Sequence, residues 1–166
     1  MPEKPQCWKL SPEIWGASLE IALMGPEDDV QTKFHVMESG SSVLSENSPL
    51  DRVTETIPTR RLDTLLKGQS VDFLKLDVQG FELQVLNGGQ AALHGAQAVL
   101  LEVSLLRINE GAPLMAEVVS YMSERGFDVL DVLEIHHRPL DGATNQIDLL
   151  FAPKDSMLFS DTRHFA

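Results

Sequence analysis

The stretch Val71–Phe81, VDFLKLDVQGF, constrains what this chain can fold into more than any other part of it. Val71, Phe73, Leu74, Leu76 and Val78 form a short apolar run of the kind found in strands buried on both faces of a sheet. The run ends in Asp77, Gln79 and Gly80, and a helical pattern begins at Phe81. A strand, a sharp Gly-containing turn and a helix make the βα unit of a parallel sheet, and such sheets bind ligands just outside the carboxyl ends of their strands. Asp77 is therefore placed for chemistry. The plainer alternative is that Asp77 caps the helix and Gly80 eases the turn.

Around this unit the order of elements is legible from pattern and breakers. Ser18–Met24 is a strand or a helical turn, Gly25–Asp29 is a turn, and Thr32–Met37 alternates as a half-exposed strand does. Together they look like a hairpin. Glu38–Asp51 is polar and Ser-rich, with a loop over Gly40–Ser48. Arg52–Arg60 suits a strand interrupted by Pro58, and Leu62–Leu66 a short helix with Asp63 in its first turn. Phe81–Gly95 is a helix that Gly88-Gly89 weakens or breaks in two. Gln97–Val103 is a second buried strand with Glu102 near its end.

Pro113 opens a further helix, carried by Leu114, Met115, Val118, Tyr121 and Met122, that stops at Gly126. Phe127–Ile135 is a strand with a bulge at Leu130-Asp131, and Gln146–Ala152 returns after a turn at Asp141-Gly142. The reading is an α/β fold: a mostly parallel sheet with a C-terminal antiparallel hairpin and helices on both faces. Residues 1–17 form an N-terminal arm that Trp8 and Trp15 pack down, residues 18–152 the domain, and residues 153–166 a tail.

Composition limits the partners. A formal charge of −12 over 166 residues argues against a nucleic-acid backbone or an anionic membrane. With Cys7 as the one cysteine, no intrachain disulfide forms, which fits a reducing, cytoplasmic compartment. No run of 18 apolar residues suggests a membrane span, and the N-terminus lacks the apolar core of a signal sequence.

The segment FLKLDVQGFELQVLNGG closely resembles the signature of FkbM-type S-adenosylmethionine-dependent methyltransferases: a strand, Lys75, Asp77, Gln79, Gly80, Glu82, then a Leu-rich turn ending at Gly88. The pair Ser41-Ser42, Arg61-Leu62-Asp63, Leu101-Glu102-Val103 and Asp148 occur in the order that family shows. The resemblance runs from about Ile21 to Ala152. It implies a Rossmann-like methyltransferase fold, S-adenosylmethionine as cofactor, and O-methylation of a small-molecule or sugar hydroxyl. The family's Gly-rich turn and ribose-holding acid have no counterpart here, so the expectation is a truncated form without the first two strands and most of the cofactor pocket. A strand left bare at Val71–Val78 invites pairing, so Ser18–Met24 or Arg52–Ile57 should cover it, or two copies should dimerise there. A non-catalytic remnant serving as an assembly module is the alternative.

The resemblance puts Asp77 where methyl donor and acceptor meet, to orient or deprotonate an acceptor hydroxyl. Gln79 would bond the same substrate. Glu82 would contact substrate or compensate the helix dipole. Glu102, ending the neighbouring strand, should share Asp77's crevice and form an acid–base pair with it, or else pair with Lys75 or Arg107. His136-His137 could add a nitrogen ligand to Asp77 and Glu102. Adjacent residues of a strand point opposite ways, so one histidine at most would serve. A surface loop is the preferred reading of the pair, and no metal is expected.

Overall fold

The structure is a computed structural model that describes residues 19–36, 41–45 and 53–164. The arm over residues 1–17 and much of the Ser-rich region lie outside the described residues. Among the described residues, seven strands form two sheets.

The smaller sheet joins β1 (Leu23–Met24), β2 (Gln31–Val36) and β3 (Val53–Arg60) in the order β1-β3-β2. The expected hairpin between the first two segments does not form, because β3 lies between them. It pairs parallel with β1 and antiparallel with β2. Asp28, in the turn after β1, explains this. Its carboxylate accepts from the Arg61 backbone N–H at 2.9 Å, the Thr64 hydroxyl at 2.7 Å and Arg60 Nε at 3.2 Å. Those bonds, led by the Arg61 N–H, hold the carboxyl below its ordinary value. The turn is thus fastened to the end of β3. Pro58 is tolerated because the Thr59 N–H points to Val30 on the β2 side, so the proline nitrogen faces the side where two-residue β1 pairs only Thr59 and Arg60.

After α1 (Leu62–Leu66), the larger sheet holds β4 (Phe73–Leu76), β5 (Ala98–Ser104), β6 (Phe127–His137) and β7 (Thr144–Pro153) in the order β4-β5-β7-β6. Only β4 and β5 pair parallel; β7 inserts antiparallel between β5 and β6. The sheet is therefore mixed, not mostly parallel. The tight turn after β6 obliges β7 to run back, and β7 rather than β6 takes the place beside β5. The bulge at Val129–Asp131 is present, with further register shifts toward His137.

The helices α2 (Glu82–Asn87), α3 (Gln90–Gly95) and α4 (Met115–Glu124) bury Val85, Leu86, Leu93, Val118 and Met122 in one core with Leu74, Leu76, Val99, Leu101 and Phe151. They cover one face of the sheet. On the other, Phe73 is 54% exposed, Lys75 is exposed, and Leu100 and Leu150 are half-buried. The sequence pattern predicts helices on both faces and a central strand buried on both, but β4 alternates exposed and buried residues, and the buried residues of α2, α3 and α4 all pack into the core on one face. Nor does β1 or β3 cover the outer edge of β4, since both pair within the smaller sheet.

Gly88-Gly89 does break the helix, at the boundary of α2 and α3. The reason is close approach: a Cβ on Gly88 would run into the Gly25 carbonyl oxygen. Asp63 lies in the first turn of α1 as expected and also reaches α3, accepting from the Ala91 and Ala92 N–H groups at 3.2 and 3.1 Å. No helix among the described residues is long and apolar enough to cross a membrane.

Candidate functional site

The βα unit at Val71–Phe81 ends in a constrained turn. Gln79 has φ +54° and Gly80 φ +92°. The first is costly for a residue with a Cβ and persists only where its surroundings over-determine it. Here they do. The Gln79 carbonyl accepts from Asn109 Nδ2 at 2.8 Å and from the Ser42 hydroxyl at 3.4 Å. Below it, Glu82 Oε1 accepts from the Gly80 N–H at 3.0 Å and the Val78 N–H at 3.3 Å. A Cβ at Gly80 would meet the Ala112 methyl at 2.6 Å, so a larger residue does not fit.

This turn aims side chains. The Gln79 amide donates to Asp77 Oδ1 at 3.0 Å and to Glu102 Oε2 at 3.1 Å. Asp77, Gln79 and Glu102 thus form one bridged group at the carboxyl ends of β4 and β5, and Asp77 is exposed to solvent. Burial first, and the neighbouring Asp77 carboxylate next, push the Glu102 carboxyl up to about 7. Arg107 does not neutralise the pair; it donates to the Ala112 carbonyl and to Glu117. The chemistry available is that of a carboxylate placed to orient a hydroxyl or take its proton.

Glu82 stands apart from them. It is 2% exposed, and burial raises its carboxyl above the ordinary 4.5 while the two backbone N–H groups act the other way. It braces the turn from beneath.

A cleft of about 200 Å³ lies beside the group, lined by Met24, Phe34, Ser42, Asp77 and Phe81 among others. Across the same sheet face, Asp148 pairs in register with Glu102, and His136 Nε2 lies 3.2 Å from Asp148 Oδ1. Both histidines are in β6, not in a loop. His137 turns away as strand geometry requires and meets the Gly142 carbonyl at 3.1 Å.

Ser42, Asn109 and Asp148 were not singled out as site residues. A register argument for the last hairpin could have found Asp148; nothing in the sequence around Asn109 marks it.

Carboxylates at adjacent strand ends beside a βα turn stand where α/β sheets bind their ligands. The model of the FkbM methyltransferase domain matches residues 15–129. The chain belongs to that family. Neither the curated proteins nor the solved structures compared with it gave a match. The match ends at Val129, so β7 and most of β6 lie beyond it.

Proposed function

We propose that the chain is an O-methyltransferase acting on a hydroxyl group of a small molecule or sugar, in which the described site handles the acceptor. The observation that carries this is the Gln79 amide bridging Asp77 and Glu102 across a strained turn held from both sides. Asp77 orients the acceptor hydroxyl and takes its proton as the oxygen is methylated. Gln79 holds the carboxylate in place, and Glu102 is the second carboxyl of the pair. Fixed geometry of this kind supplies rate by positioning.

S-adenosylmethionine is the general methyl donor of the family. The cleft beside Asp77 is smaller than the roughly 300–1,000 Å³ of ordinary small-molecule sites, and no glycine lines it. The described residues do not by themselves seat the whole cofactor, and the roles above are confined to the acceptor side. The outer edge of β4, free among the described residues, supports a homodimer formed across it in the cytoplasm. It equally supports a second reading, a non-catalytic binding or assembly module.

Calorimetry with S-adenosylmethionine and its demethylated product separates the two. Binding with Kd at or below about 1 mM is expected of the enzyme. No heat at millimolar ligand would leave the assembly module. Light scattering should give twice the chain mass in either case, and a monomer would remove the proposed edge contact.

A further inference from the structure

The open face of the larger sheet carries a second group of side chains, which shares Glu102 with the acceptor group. Glu102 on β5 and Asp148 on β7 are directly opposed in register, an arrangement that destabilises a sheet when both carry negative charge. Among the described residues, His136 on β6 is the basic group in contact with them. Its Nε2 faces Asp148, and ligand atoms of Glu102, His136 and Asp148 all lie within 4.8 Å of one another. We propose that these three side chains bind one first-row divalent cation, of the Mn²⁺ or Zn²⁺ type.

Four features of the geometry support this. Two ligands about 2.0–2.2 Å from one ion sit roughly 3.0–3.5 Å apart, and the His136–Asp148 separation is 3.2 Å. The other ring nitrogen, Nδ1, lies 3.9 Å from Glu134 Oε1. That is the side on which a metal-bound imidazole carries its proton, and the carboxylate stands within ion-pair range of it, beyond a direct hydrogen bond. The donors come from three neighbouring strands, whose spacing is fixed by the sheet. Access is suitable as well: the His136 and Asp148 side chains are 33% and 14% exposed, so an ion can enter without unfolding the sheet and is not left wholly in water.

One imidazole and two carboxylates suit Mn²⁺ and Zn²⁺ better than a thiolate-preferring ion. The site rests on the sheet's own register and not on the methyltransferase reading. Its ligands His136 and Asp148 lie outside the residues that match the family. An ion there would stand beside the Asp77–Gln79–Glu102 group, where it could hold an acceptor's oxygen.

The test is titration of the full chain with Mn²⁺, followed by the electron paramagnetic resonance signal of the free ion, with Zn²⁺ as competitor. The expected result is one saturable site per chain, emptied of Mn²⁺ by Zn²⁺. His136→Gln and Asp148→Asn should each weaken binding at least about tenfold, whereas Asp141→Asn, which alters a carboxylate paired with Arg138, should not. Circular dichroism of each variant reports whether it is folded, and two independent ligand variants guard against the loss of one. No saturable uptake of either ion, or uptake unchanged in both folded ligand variants, would overturn the proposal. S-adenosylmethionine binding is measured separately, so a chain that fails to bind the cofactor leaves the cation result standing.

Discussion

The two faces of the larger sheet are made by alternate residues of the same four strands, yet they do different work. Leu74, Leu76, Val99, Leu101 and Phe151 on one face are closed over by α2, α3 and α4. Phe73, Lys75, Glu102, Asp148 and His136 on the other stay exposed or half-buried. A period of two lets one strand supply stability through the residues facing the core and chemistry through those between them. Asp77 and Glu102 can then sit in water-accessible positions while their backbones are held by a packed core one residue away.

Substitutions should expose that contrast directly. Leu101→Ala on the closed face should cost about 2–5 kcal/mol of unfolding free energy in urea denaturation. Phe73→Ala on the open face should cost less than about 1 kcal/mol. Equal losses would mean that the second face is also a core.

The turn that joins the faces should be next in sensitivity. Glu82→Ala strips the buried acceptor from two N–H groups and should cost about 2–3 kcal/mol, measured in the same way. Gly88→Ala drives a methyl into the Gly25 carbonyl and should cost about 1–3 kcal/mol. If it is neutral, the α2–α3 boundary is looser than the packing implies.

The smallest effect is in pH dependence. Burial raises the folded-state value of the Glu82 carboxyl above 4.5. A carboxyl raised on folding contributes stability that is full below its unfolded value and lost as pH climbs through the folded one. Glu82→Gln keeps an acceptor oxygen and has no such loss. The stability of the native chain relative to this variant should therefore fall as pH climbs above the ordinary carboxyl value of 4.5. A difference that stays flat there would show that the N–H bonds outweigh the burial.

Local features were the legible ones. The βα unit at Val71–Phe81, the break at Gly88-Gly89, the bulge near Leu130 and the stop at Gly126 all follow from periodicity and breakers acting within a few residues. Pairing between distant segments was not legible. The insertion of β7 beside β5, and of β3 between β1 and β2, depends on contacts that no local pattern records. The open face escaped for a related reason: an apolar run reads alike whether one face or both are covered. Glu82 does stand in the first turn of α2, but its burial was not legible, because an acid there looks the same whether it faces water or is folded under the preceding loop. Asp77 and Glu102 were brought together as expected, since both stand at the ends of neighbouring parallel strands. Their link through Gln79 depends on its left-handed backbone, which composition does not announce.

The most direct test of the account is transfer of radiolabelled methyl from S-adenosylmethionine to a panel of sugars and small hydroxylated molecules, by the native chain and by Asp77→Asn. Because Asp77 is exposed, the variant should melt as the native chain does. Its turnover should nevertheless fall about 10²–10⁴-fold, the usual contribution of a placed acid or base. Turnover at the native rate in the variant, or no transfer by the native chain to any acceptor, would contradict a role for this carboxylate in methyl transfer.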